Sequence, residues 1–359
     1  MKNDFKSIYQ NKKVFVTGHT GFKGSWLICW LHLLGSKVKG YALAPENDFD
    51  LYPTIKGDEL CLSEIADIRD AETLKKSILD FQPDFIFHLA AQPLVRLSYK
   101  VPLETFSINI NGTANVLDAL RFLEKPCIAV MVTTDKVYHN QEKNYAYQET
   151  DRLGGYDPYS ASKAAVELVI DSYRKSFFNP LNYAAHQKSI SVARAGNVIG
   201  GGDWARDRII PDIVRALQAE QEIEVRNPNA VRPWQHVLDP LSGYLTLAAK
   251  QVEDPIQFAD TFNFGPEPSD NLTVKELVNF AIDIWGKGKA NFAIENNGYH
   301  EALLLQLNIS KAKKELDWHP KISAKKAIKL TLDWFKNSTN QQEDIVSTLI
   351  RDIKSFEDA

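Results

Sequence analysis

Tyr159 and Lys163 stand four residues apart in Tyr159-Ser160-Ala161-Ser162-Lys163, which on a helix puts both functional groups on one face. Pro158 suits the first turn of that helix. A free tyrosine titrates at about 10, so it serves as a base near neutrality only beside positive charge, which Lys163 would supply. A surface helix carrying an aromatic and a lysine has the same spacing, so context decides what the pair means. A second group, Thr133-Thr134-Asp135-Lys136-Val137-Tyr138, ends the apolar run that begins at Cys127. Ligands of open α/β sheets bind at the carboxyl ends of strands, which places Thr134, Asp135 and Lys136 for chemistry. A tyrosine base and a hydroxyl suffice to take the proton from an alcohol. An added acid and an ionisable neighbour imply a further proton transfer.

Alternating β-type runs and helical patterns would position these residues. Val14 to Thr17, Lys37 to Leu43, Phe85 to Leu89, Cys127 to Thr134 and Ile190 to Ala193 read as strands. Gly21 to Leu34, Asp70 to Phe81, Phe106 to Leu123 and Tyr159 to Phe178 read as helices, with Gly35 a natural C-cap. Runs such as Phe85-Ile86-Phe87 lack polar alternation, as strands covered on both faces do. Thr17-Gly18-His19-Thr20-Gly21-Phe22-Lys23-Gly24 joins the first strand to the first helix. Glycines there let backbone amides approach a pyrophosphate at the positive end of the helix dipole; a plain tight turn is the alternative. The expected class is α/β, a doubly wound parallel sheet with a smaller mixed lobe. Residues 1–195 with 235–265 would form the dinucleotide-binding domain, and 196–234 with 266–359 the second lobe.

The spacing of the glycines, and the tyrosine–lysine pair downstream, resemble the extended short-chain dehydrogenase/reductase family, whose sheet is Rossmann-type. The resemblance implies that Gly18, His19, Gly21, Phe22, Lys23 and Gly24 hold NAD, joined by Asp67 and Ile68 at the adenine, by Leu89, Ala90 and Ala91 beside the cofactor, and by Tyr159 and Lys163. A ribose-binding acid should stand about twenty residues past the glycines. Glu46 and Asp48 come late for that role and read equally as loop surface. No arginine stands there for a 2′-phosphate, which favours NAD over NADP. His19 and Lys23 occupy places where many relatives have smaller or apolar residues, which would alter how tightly NAD is held.

The strand-end triplet is similar to that of the sugar-nucleotide 4,6-dehydratases within this family. Lys136 departs from their more common Asp-Glu pairing. The Asp-Lys form, Asn197-Val198-Ile199-Gly200-Gly201-Gly202-Asp203-Trp204-Ala205 and Arg232-Pro233-Trp234-Gln235-His236-Val237 resemble the CDP-glucose branch. The resemblance covers nearly the whole chain. It implies oxidation at C4 of CDP-glucose, elimination of water across C5 and C6, and return of hydride to C6, in the making of deoxysugars for surface polysaccharide. Asp135 would protonate the departing oxygen, and Lys136 would be the C5 base or an electrostatic stabiliser. Gln92, Asn197, Arg208, Arg232 and His236 would contact the nucleotide sugar, with Arg194 and Arg206 near the passage between lobes. A nucleotide-sugar 4-epimerase, a dehydratase of another nucleotide sugar and a catalytically silent NAD sensor stay open as alternatives.

Bulk properties agree with such a chain and exclude others. At 359 residues, 44% hydrophobic and 25% charged, it is long enough for two lobes and ordinary for a globular protein. A net charge of -4 gives no broad basic footprint for nucleic acid. Cys29, Cys61 and Cys127 are odd in number, far apart and in apolar surroundings, so neither disulfides nor a metal site are expected. No signal or membrane-spanning run is evident, and a cytoplasmic homodimer or homotetramer is expected.

Overall fold

The unbroken apolar runs become interior strands of a seven-stranded sheet in a computed structural model that describes residues 5–270, 272–292, 304–339 and 344–359. The strands are β1 (Lys13–Thr17), β2 (Lys37–Ala42), β3 (Leu62–Ile65), β4 (Phe85–His88), β5 (Cys127–Thr134), β6 (Lys188–Ala195) and β7 (Thr261–Phe264). They pair in the order β7-β6-β5-β4-β1-β2-β3, every neighbour parallel. The chain runs outward from β1 through β2 to β3, then from β4 through β5 and β6 to β7 on the other side. The crevice at that reversal is where a doubly wound sheet binds ligands.

Helices α1 (Phe22–Leu33), α2 (Ala71–Phe81), α3 (Gly112–Leu120) and α4 (Pro158–Ser176) connect these strands. Asp70 caps α2 by accepting from the Thr73 amide. Where one helix over Phe106 to Leu123 was expected, the chain forms a turn of helix at Pro102–Phe106, a π turn at Ser107–Asn111, and then α3. The widened turn delivers the Asn109 side chain inward, where its Nδ2 donates to Ser162 Oγ at 2.8 Å and its Oδ1 accepts from Gln92 N at 2.8 Å. β3 and β7 have no counterpart among the strands read from sequence. Each is only four residues long and lies at an edge of the sheet.

After β6 come α5 (Ile209–Gln218), α6 (Leu238–Glu253), α7 (Val274–Trp285) and α8 (Ala324–Thr339). α6 packs against β5 and β6 and feeds β7, so this stretch completes the main sheet. α7 starts with Thr273 and Glu276 capping each other's backbone, and it packs on α8. Within the span 266–359, α9 (Ile345–Asp358) lies against α1 of the sheet lobe rather than beside α7. Its apolar face carries Leu349, Ile353 and Phe356. Phe356 meets Trp30 edge-on at 5.7 Å, and Trp30 Nε1 donates to Glu357 at 2.7 Å. Part of that span, 271, 293–303 and 340–343, lies outside the described residues.

The turn after β1 depends on two glycines. Gly18 has φ +75°, and a Cβ on it would lie 2.8 Å from Ala90 N; a Cβ on Gly24 would lie 2.0 Å from Gly18 O. Gly21, the N-cap of α1, would meet nothing closer than 3.5 Å. Gly24→Ala should therefore cost about 1–3 kcal/mol, as overpacking does, and lower the thermal midpoint, while Gly21→Ala melts with the wild type. Equal melting of the two variants would show the turn to be more compliant than this geometry.

Candidate active site

α4 begins where Asp157 caps it, accepting from Ser160 N at 2.9 Å and from Ser160 Oγ at 2.6 Å, with Pro158 in the first turn. This entrance brings Tyr159 and Lys163 beneath the end of β5. The Tyr159 hydroxyl is hydrogen-bonded to Thr134, and Thr134 Oγ1 donates to Asp135 Oδ1 at 2.9 Å. Lys136 Nζ lies 3.6 Å from the same Asp135 oxygen and 3.4 Å from Asn197 Oδ1. All five residues read as catalytic thus fall in one cluster. Asp135 is fully buried, and its Oδ2 has no hydrogen-bond partner among the described residues. Gly196 covers it, since a Cβ there would stand 3.3 Å away.

Burial pushes the Tyr159 hydroxyl up to about 12, opposed by its hydrogen bond with Thr134. Burial pulls Lys163 down to about 8, opposed by Glu167. The tyrosine is therefore a neutral acid by itself and needs added positive charge to become a base. Lys23 joins the same electrostatic cluster. Burial, then the charges of Arg208 and Lys163, draw it down to about 7, while Asp135 acts oppositely. Its ammonium lies 5.8 Å from the Tyr244 ring.

The glycine turn leaves the N-terminus of α1 open at Gly21, a cradle that fits a dinucleotide's pyrophosphate. Leu89 N and Ala90 N donate to Thr17 Oγ1 at 3.1 and 3.2 Å, so the stretch before Ala91 backs the turn. Phe22 and Lys23 line the adjoining cavity. The His19 ring turns instead beneath β2. A Cβ on Gly40 would lie 2.2 Å from it, and His19 Nε2 meets Ser63 Oγ at 2.8 Å. Burial lowers His19 to about 4, which leaves it neutral. Asp67 is held by Arg69 at 2.5 Å, and Ile68 packs where a Gly112 side chain would stand. Glu46 and Asp48 are exposed in the loop after β2.

A cavity of about 540 Å³ spans the two lobes, within the size range of small-molecule sites. Thr134, Lys136, Tyr159, Asn197, Arg208 and Arg232 are on its wall. Arg208 pairs with Asp203 at 2.8 Å. Two residues read as substrate contacts are not on the wall. His236 is 1% exposed and lies edge-on to Trp26 at 6.0 Å, because pairing of Gln235–His236 with Val198–Ile199 draws it behind the cavity. Burial lowers it to about 3. Gln92 is consumed internally, donating to Thr105 Oγ1 at 2.9 Å and accepting from Leu94 N at 2.6 Å. Arg194 is likewise buried, in an ion pair with Glu167, and Arg206 is exposed. Sequence reasoning missed Arg96 and Arg226, both on the wall and both facing Asp207, at 3.5 and 3.4 Å. No local pattern marks them, since only folding brings them to one carboxylate.

The profile of the GDP-mannose 4,6 dehydratase family matches residues 15–331. A CDP-glucose 4,6-dehydratase of Salmonella typhimurium is 44% identical over 351 residues, 98% of each chain. Among solved structures, dTDP-glucose 4,6-dehydratase of Bacillus anthracis in complex with NAD superposes with a TM-score of 0.76 at 22% identity, covering 92% of this chain and 98% of that one. UDP-glucuronic acid 4-epimerase of Bacillus cereus, in complex with UDP-glucuronic acid and NAD, does so with a TM-score of 0.78 at 23% identity, covering 91% and 99%. Those two likenesses show the fold. A match across nearly the whole length, carrying the glycine turn, the tyrosine–lysine pair and the strand-end triplet, means that the chain belongs to the GDP-mannose 4,6 dehydratase family, within the extended short-chain dehydrogenases/reductases.

Proposed function

We propose that this chain is an NAD-dependent CDP-glucose 4,6-dehydratase, a hydro-lyase that makes CDP-4-keto-6-deoxyglucose. The observation that carries the reading is the junction of two sets of groups at the end of β5: Tyr159 meets Thr134, Thr134 donates to Asp135, and Lys136 lies 3.6 Å from the same carboxylate, with Thr134, Lys136 and Tyr159 on one cavity wall. Its support for the CDP-sugar is the 44% identity to a CDP-glucose 4,6-dehydratase. NAD, when bound, supplies the hydride acceptor for C4 and the hydride donor for C6. Tyr159 takes the proton of the C4 hydroxyl, with Lys163 favouring the phenolate. Oxidation makes the C5 proton acidic; Lys136 removes it or stabilises the enolate that forms. Asp135 gives its proton to the C6 oxygen, which leaves as water. Protonation at C5 completes the balance. Asn197, Arg208 and Arg232 would hold the nucleotide diphosphate, arginine being suited to bidentate contact.

Residues 1–195 with 235–265 would serve NAD, and 196–234 with 266–359 the nucleotide sugar, apart from the placement of α9. Two copies would pair through the outer face of α4 and its neighbour, where Leu168 and Leu103 are 63% and 84% exposed. Among the described residues no helix is long and apolar enough to cross a membrane, in keeping with a cytoplasmic place.

Incubation with CDP-glucose and NAD in deuterated water should give a sugar that has lost one water and carries deuterium at C5, by mass spectrometry and NMR. An intact hexose inverted at C4 would identify an epimerase instead. Parallel reactions with dTDP-glucose and GDP-mannose test the base, and faster turnover of either would replace the CDP-sugar assignment.

A further inference from the structure

Behind the catalytic cluster, three neighbouring strands present a row of polar side chains. Thr133 on β5 registers with Arg194 on β6, and Arg194 with Asn263 on β7. Glu167 on α4 closes over the row. Its Oε1 accepts from Thr133 Oγ1 at 2.5 Å and from Arg194 Nε at 2.9 Å, and its Oε2 accepts from Arg194 Nη2 at 2.9 Å. Arg194 Nη1 donates onward to Tyr138 Oη at 2.8 Å and to Glu149 O at 3.0 Å. Tyr138 donates to Asn263 Oδ1 at 2.7 Å. Glu167 and Arg194 are 4% and 3% exposed.

A buried ion pair is a weak source of stability, because desolvation consumes much of the Coulombic gain. The position of this one suggests another use. Glu167 is one helical turn beyond Lys163 on the same face, and Thr133, which it grips, adjoins Thr134, the partner of Tyr159. Lys163 has little else to hold it: among the described residues, its ammonium donates at 3.4 Å to Val132 O alone.

We infer that Glu167, fixed by Arg194, is a positioning residue of the active site: it is the counter-anion that keeps buried Lys163 a cation, and it ties the helix of Tyr159 to the strand end of Thr134. Among the described residues, the charged and titratable groups that act on Lys163 are Glu167 on its own helix, Lys23 from α1 and His88 from β4, with Arg194 from β6 paired behind Glu167. Asp135 stands one group further, at the end of β5. Lys23 repels the ammonium, and His88 is neutral, driven down to about 3 by burial and by Lys163. Glu167, one turn along the same helix, is thus the anion that offsets the burial drawing Lys163 to about 8. Three hydrogen-bond donors, Thr133 Oγ1 and Arg194 Nε and Nη2, converge on its carboxylate.

The test follows Lys163 directly in the full-length protein, by NMR titration of ε-13C-labelled lysine, with the resonance assigned from its absence in Lys163→Met. In Glu167→Gln the Lys163 midpoint should fall by at least about one unit, a tenfold loss of the cation at a given alkaline pH. Glu167→Asp should recover part of that fall. An unchanged midpoint in folded Glu167→Gln overturns the inference. Should Glu167→Gln leave Arg194 unpaired and fail to fold, Glu167→Gln/Arg194→Met removes both charges and should show a smaller fall; no fall there overturns it too. Relevance to turnover rests on the dehydratase reading. With CDP-glucose the alkaline limb of kcat should move down with the Lys163 midpoint while KM stays within about twofold. A wild type that leaves CDP-glucose untouched would sink that reading, whereas the titration would still decide the role of Glu167.

Discussion

Tyr159→Phe should turn over CDP-glucose about a thousandfold more slowly than the wild type, the usual scale for loss of a general base, or about 4 kcal/mol of transition-state stabilisation. KM should change little, because the phenyl ring keeps the buried shape and only the oxygen is lost. The size of the effect follows from the absence of a substitute. Thr134 is the hydroxyl hydrogen-bonded to Tyr159 and its proton is already given to Asp135, and water is scarce at a residue that is 7% exposed. The wild-type pH profile carries the sign of the neighbouring lysine. Lys163 is pulled down to about 8 by burial, so it is a cation below that pH and neutral above it. Tyr159 at about 12 is protonated throughout and yields its proton only while Lys163 and the oxidised cofactor are both positive. Rate should therefore fall as pH rises through about 8. A kcat that climbs smoothly toward pH 10, as simple titration of an isolated tyrosine would give, contradicts the assigned partnership.

What the sequence made legible was the local part of this site. Tyr159, Lys163, Thr134, Asp135 and Lys136 sit on two short segments whose helix and strand periods already decide which way they face. The glycine turn was readable because Gly24 meets the backbone of Gly18 and His19 within the turn itself, although the backbone that crowds Gly18, at Leu89 and Ala90, comes from β4's far end. What sequence could not convey was side-chain destination across the fold. His236, in a motif next to Arg232 and Trp234, is drawn under Trp26 by a two-residue strand pairing. Arg194 read as a candidate phosphate ligand because arginines cluster near that point. Its partner, Glu167, comes from a helix facing β6 and carries no motif of its own. His19 was read as a perturbation of cofactor binding. Its ring is accommodated by Gly40, a glycine on the next strand whose missing side chain gives no local hint of what fills the space. The short edge strands β3 and β7 were hidden for a related reason: four residues carry too little pattern to mark a strand by period alone.

Asp135→Asn should leave C4 oxidation nearly intact and slow elimination by about a hundred- to a thousandfold, since the amide keeps the hydrogen bond from Thr134 but has no proton to give the C6 oxygen. In a single turnover, the reduced nicotinamide absorbance should then rise and persist, where in the wild type it is transient. Deuterated water divides the work of the neighbouring lysine. If Lys136 takes the C5 proton, Asp135→Asn returns starting CDP-glucose labelled at C5, because proton removal still occurs while departure of the hydroxyl fails. Lys136→Ala should abolish that label, and the double variant should resemble Lys136→Ala. Retained C5 exchange in Lys136→Ala would assign proton removal to another base and leave Lys136, 3.6 Å from Asp135 Oδ1 and 3.4 Å from Asn197 Oδ1, as the cation that stabilises the enolate. The order of the two defects is the sharper discriminator. Loss of Asp135 must block the step after C5 exchange and loss of Lys136 the exchange itself, so a variant of Asp135 that stops C4 oxidation as severely as Tyr159→Phe would show that the carboxyl acts through the Thr134–Tyr159 chain rather than on the leaving oxygen.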